Sequence, residues 1–187
     1  QIPTARLIRS ISYREAEELA AMGAKALHPR CLGPLRWASI PLRIRCTSDP
    51  GGPGTRIGAL SDPDPAVMAV VRRQSVTLLT ISTLDMWGAS GFLSRVFAPF
   101  EALGISVDLV ATSQSAVSLT LDFIPGGVDG DSFGQLLDRL KALGEVTVVH
   151  PCAVVSIVGR RIRTVLHELG PAMAVFREHE VHLVSES

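Results

Sequence analysis

The chain has 187 residues, 47% of them hydrophobic, and its 18 basic and 18 acidic side chains cancel. That length holds one large domain or two to three small ones with a real apolar core. Zero net charge leaves no basic surplus to displace counterions from a nucleic-acid backbone, and no apolar run reaches the roughly 20 residues that a bilayer requires, so neither nucleic acid nor membrane is an expected partner.

The opening "QIPTARLIRS" has no initiator methionine and no apolar signal-peptide core, so a piece of a longer, cytoplasmic protein is expected. Cys31, Cys46 and Cys152 fit neither a disulfide framework nor a zinc spacing and read as reduced thiols. His167, His179 and His182 lie close together without an H-x-x-x-H pair and a carboxylate, so no metal site is expected and they read as surface histidines.

"SYREAEELAAMG" (12–23) pairs a serine cap with Glu15 at capping-box spacing, which predicts a helix that stops at Gly23. "PRCLGPLRWA" predicts a short helix made irregular by Gly33 and Pro34. "IPLRIRCT" (40–47) alternates as a strand does, and "SDPGGPGTRIGALSDPDPA" (48–66) reads as loop and linker. "GPGTRIG" within it matches no phosphate-binding glycine motif and reads as a turn.

Beyond the linker, strands are predicted at 67–72, 76–83, 106–113, 116–123 and 145–149, with helices at 91–103 and 131–143. Phe92, Leu93, Val96, Phe97 and Phe100 share one helical face, as do Phe133, Leu136, Leu137 and Leu140. The order βαββαβ calls for an α+β fold with both helices on one face of a single sheet. The pattern then restarts with a strand at 152–159, a helix at 164–178 broken near Gly170-Pro171, and a strand at 181–186. "GFLSRVF" (91–97) and "GPAMAVF" (170–176) form a weak internal repeat, and the second copy stops after βαβ.

"ISYREAEELAAMGAKALHPR", "IPLRIRCT…PGTRI" and "VTLLTISTLDMWGASGFLSRVFAPFEALGISVDLVATS" together resemble the C-terminal half of an aspartate kinase, in the family's order and over nearly the whole chain. "GASGFL" and "HEVHLVSES" look most like versions fused to a diaminopimelate decarboxylase. The resemblance implies that residues 1–58 close an α/β amino-acid kinase domain, 59–66 link, 67–149 form a first ACT domain of ferredoxin-like type, and 150–187 form a truncated second one. It implies ATP with magnesium as the parent's cofactor, lysine and/or threonine as feedback ligand, and a homodimer through the ACT domains. It also places Lys25 and Ala26 of "GAK" near the nucleotide; a lysine there supplies a mobile point cation for phosphate. The family's upstream phosphate-binding and aspartate-binding segments have no counterpart here, so the chain alone is expected to be inactive. The rival from another class is a non-catalytic amino-acid sensor or oligomerisation module of a different parent.

The same resemblance places a feedback amino acid at Met86, Gly88, Gly91, Phe92, Leu93, Val107, Asp108, Thr112 and Ser113. The chemistry suits a zwitterion: free N–H groups at a helix start take its carboxylate, Gly88 and Gly91 permit close approach, and Asp108 supplies the anion for its ammonium. The plain alternative is that Asp108 caps a turn and that Met86 and Phe92 are core. The chain departs from the family at Gln114, where glutamate is common, and at Ser90, where arginine or another long polar residue is common.

Overall fold

The computed structural model of the chain describes residues 5–24, 26–59, 67–159, 170 and 174–182. The chain divides into two compact units, one of residues 1–73 with 155–178 and the other of 74–154 with 179–187. The mixed α/β architecture contains two sheets. Among the described residues no helix is long and apolar enough to cross a membrane.

In the first unit, β1 (Ser10–Ser12) leads directly into α1 (Tyr13–Ala21). The expected capping box is present: Glu15 N–H donates to Ser12 Oγ at 3.2 Å, and Ser12 N–H donates to the Glu15 carboxylate at 2.6 Å. Two of the amides left open at any helix start are satisfied this way. The chain leaves α1 through Gly23 at φ +103°, where a Cβ would meet Arg73 Cγ at 2.6 Å, so glycine is required. A 3-10 turn (Pro29–Cys31) runs into the short α2 (Leu32–Trp37), the irregular helix expected.

The expected strand at 40–47 is reduced to β2 (Leu42–Ile44), and a strand was not expected in the stretch that follows it. Residues 48–66 are not all loop: Thr55–Gly58 form β3, the centre of a sheet ordered β1-β3-β2. β3 runs parallel to β1 and antiparallel to β2. Its alternation sends Ile57 into a core with Ile11, Tyr13, Ala16 and Leu32. Ile57 and Leu32 are fully buried, worth about 1.5–3 kcal/mol each relative to exposure. Tyr13 keeps its hydroxyl satisfied by donating to the Ile40 carbonyl at 2.7 Å.

The second unit has the expected chain order, β4-α3-β5-β6-α4-β7, and a sheet ordered β5-β6-β4-β7. Its strands are β4 (Val67–Ser82), β5 (Val110–Thr112), β6 (Ala116–Leu121) and β7 (Glu145–Gly159); its helices are α3 (Phe92–Ala102) and α4 (Asp131–Lys141). Two breaks expected from the sequence do not occur. β4 runs unbroken through Gln74 and Ser75, and β7 runs unbroken through His150 and Pro151. Each long strand therefore begins or ends in the first unit.

β6 lies antiparallel to both β4 and β5, with Thr77 opposite Leu121, Ser82 opposite Ala116, and Thr112 opposite Val117. Leu79, Ile81, Val117, Leu119 and Leu121 meet Phe92, Val96 and Phe100 of α3 and Phe133, Leu136 and Leu140 of α4 in one core. The helical spacings of i, i+4, i+8 and i, i+3, i+7 put each set on one face. Of the second expected repeat, the strand at 152–159 is the end of β7, while most of the helix and of the last strand lies outside the described residues: Val175–Glu178 form a 3-10 turn, and residues 181 and 182 have no regular structure.

Candidate functional site

The end of β4 is tied to the β5–β6 turn by one bond, Thr83 N–H to the Ser115 carbonyl at 2.8 Å. Ser113 organises that turn. Its Oγ accepts from the amides of Ala116 at 3.0 Å and Ser115 at 3.3 Å. After Thr83 a 3-10 turn (Leu84–Met86) and two left-handed glycines, Gly88 at φ +65° and Gly91 at φ +75°, carry the chain into α3. No side chain caps the start of α3, and its first turn contains no acidic residue. Such a terminus offers amide donors and a positive dipole end to an anion.

Between these segments lies a cavity of about 220 Å³, lined by Met86, Trp87, Gly88 and Gln114. Two of the expected residues, Met86 and Gly88, therefore line one space, with Gly91 at the helix start. Phe92 is buried and belongs to the core, and Met86 and Val107 pack against that core. Arg95 lies over the Phe92 ring, 5.6 Å from its centroid. Leu93, Thr112 and Ser113 are exposed.

Asp108 is placed differently from the expectation. Its N–H donates to the Thr120 carbonyl at 2.9 Å, and its Oδ2 accepts from Asp122 N–H at 2.6 Å. Thr120 and Leu121 are the register partners of Leu78 and Thr77, so Asp108 sits at the end of the sheet away from Ser82 and the helix start. Ser113 lies five positions on from Asp108, roughly 16 Å at the rise of a strand. Within one chain the carboxylate and the amide array do not converge, and the carboxylate holds the Asp122 amide across the β5–β6 edge instead.

Trp87 and Gln114 are the lining residues that the sequence reading did not assign to the site. The signal for Trp87 is a large aromatic in a glycine-flanked turn outside both apolar stripes; its side chain is 73% exposed. Of the nucleotide pair, Lys25 lies outside the described residues. Ala26 is exposed and lines a second cavity, of about 300 Å³, within the first unit. That lining is apolar (Ile8, Leu19, Ala24, Leu27 and Ile57 among it), with Arg6 its one charged residue among those described.

The model of the amino acid kinase family matches residues 1–46. Aspartokinase 2, chloroplastic, of Arabidopsis thaliana is 35% identical over 97% of the chain and 34% of its own length. The Escherichia coli aspartokinase III crystal structure with aspartate and ADP, in its R-state, matches 100% of the chain and 42% of its own at 32% identity, with a TM-score of 0.85. The T-state structure of that enzyme, with lysine and aspartate, matches with a TM-score of 0.76 at 29% identity, again over 100% of the chain and 42% of its own. The chain thus spans about a third of the length of the curated relatives it matches.

Proposed function

We propose that this chain, a homologue of the aspartokinases over most of its length, is the part of an aspartokinase that joins the end of the catalytic domain to the regulatory ACT domains. In this reading residues 1–58 close the kinase domain, 59–66 link, 67–149 hold the first ACT domain and 150–187 most of the second, with β4 and β7 running on past the first domain's core. The parent phosphorylates aspartate with ATP, and a feedback amino acid, lysine and/or threonine, regulates it. The cavity beside Ala24 and Ala26 fits the flat, apolar base of a nucleotide. Its lining carries no carboxylate, so it does not fit a magnesium ion.

The amino-acid site belongs to a two-fold pair of such chains. The observation that carries this reading is the edge strand β5, bonded in the sheet to β6 alone, with Val110 42% exposed. An open edge is a template for another strand. If two copies of β5 pair antiparallel about Ala111, the centre of the strand, residues three before and three after that point oppose each other. Asp108 of the partner subunit then faces Gln114, at the cavity beside Met86 and Gly88. The helix start of one chain takes the ligand's carboxylate, and the partner's Asp108 takes its ammonium. A symmetric pair makes two such sites at one interface. Ligand that binds only the paired form stabilises it by mass action. Sedimentation velocity at micromolar concentration, with and without lysine or threonine, tests the reading: one of them must shift the chain toward a dimer, and an unchanged monomer with both counts against it.

A further inference from the structure

The cavity between Met86, Trp87, Gly88 and Gln114 has a lining without formal charge: a thioether, an indole, backbone and a neutral amide. In the two-fold site proposed above, the two main-chain charges of a free amino acid are matched by the start of α3 and the partner's Asp108. The ligand's side chain is what remains for this cavity. We propose that the cavity selects amino acids with an uncharged side chain, with Gln114 and Trp87 setting that choice; the inference rests on the amino-acid site argued above.

Gln114 lies in the turn that Ser113 organises, and Ser113 Oγ holds the amides of both Ser115 and Ala116. That turn carries Gln114 at the cavity. Its side-chain amide offers one acceptor and two donors, enough to meet a hydroxyl or an amide but not to neutralise an ammonium. A cationic side chain placed there meets no opposite charge beyond the partner's Asp108, which the ligand's main-chain ammonium already engages. Trp87 is 73% exposed in the chain alone and presents an indole, a surface an aliphatic side chain covers at a gain. The same indole attracts cations through its face, so the charge preference is a balance of the two effects.

Norleucine and lysine measure that balance, since they differ only by the terminal amino group. Trp37→Phe leaves Trp87 as the single tryptophan of the whole chain, and its emission then reports occupancy beside calorimetry. The expected result is that norleucine binds about tenfold more tightly than lysine and shifts the Trp87 emission to the blue. Gln114→Glu reverses the order by adding a second anion for the side-chain ammonium, and Trp87→Ala weakens norleucine about tenfold. Lysine binding as tightly as norleucine, or norleucine binding indifferent to Trp87→Ala, overturns the selection and leaves the amino-acid site standing. No calorimetric binding of norleucine, lysine or threonine overturns both.

Discussion

Asp108 carries two separable contributions, and a pair of substitutions pulls them apart. Its carboxylate accepts Asp122 N–H at 2.6 Å at an exposed position, a contact worth about 0.5–1.5 kcal/mol. In the two-fold site the same group meets a ligand ammonium, and a hydrogen bond between charged partners contributes about 1.5–3 kcal/mol. Asp108→Ala removes both. Stability should fall by about 1 kcal/mol, a Tm shift of about 2–8 °C for a protein or domain of this size. Affinity for the effector should fall by about one to two orders of magnitude. Asp108→Asn keeps an oxygen for Asp122 N–H and removes the charge, so its Tm should stay near that of the unsubstituted chain while affinity falls nearly as far. Differential scanning fluorimetry and calorimetric titration on the same preparations read the two quantities. Unsubstituted affinity in Asp108→Asn refutes the ligand role and leaves Asp108 only its contact with Asp122.

The chain by itself should show no ATP- and aspartate-dependent ADP release above a Lys25→Ala control, since the cavity beside Ala26 has Arg6 as its one charged lining residue among those described; a coupled assay decides it. Ser12→Ala should lower stability by about 1 kcal/mol in urea titration, because it removes half of the capping box on α1. Ser48, 2.9 Å from the exposed Cys46 Sγ, holds that thiol below its usual pKa through its side chain first and its backbone amide second. A lowered pKa leaves more thiolate at neutral pH, so iodoacetamide should label Cys46 faster in the unsubstituted chain than in Ser48→Ala, with the difference closing as pH rises past the ordinary thiol range.

Where a signal was local, it was legible in the sequence. The capping box at Ser12 and Glu15 and the apolar stripes of α3 and α4 each depend on residues three or four positions apart, and each element formed within two residues of its expected ends. β3 was missed because four residues amid proline and glycine carry almost no periodicity. Its existence depends on pairing with Ser10–Ser12, more than forty residues earlier. The expected break fell on Arg73, Gln74 and Ser75; Ser75 does take φ +59°, yet the strand continues on both sides of it. The surroundings of Asp108 were hidden for a related reason. Its place ahead of a strand was readable, but the β5–β6 pairing that brings its carboxylate to the Asp122 amide rather than to Gly91 is a property of the sheet.

If the helix start of one chain and the Asp108 of another make one site, mixing two chains that are each defective restores it. Asp108→Ala spoils the ammonium partner. Gly91→Asp places a carboxylate at the start of α3, where it occupies the ligand's donors; aspartate tolerates the left-handed backbone there better than most residues, and its Cβ meets nothing within 4 Å. Each variant alone should bind effector weakly in calorimetric titration. An equimolar mixture that exchanges subunits should regain unsubstituted affinity at about one site in four, since half of the random pairs are mixed and each mixed pair has one intact site. A mixture that binds no better than its two components contradicts a site shared between chains.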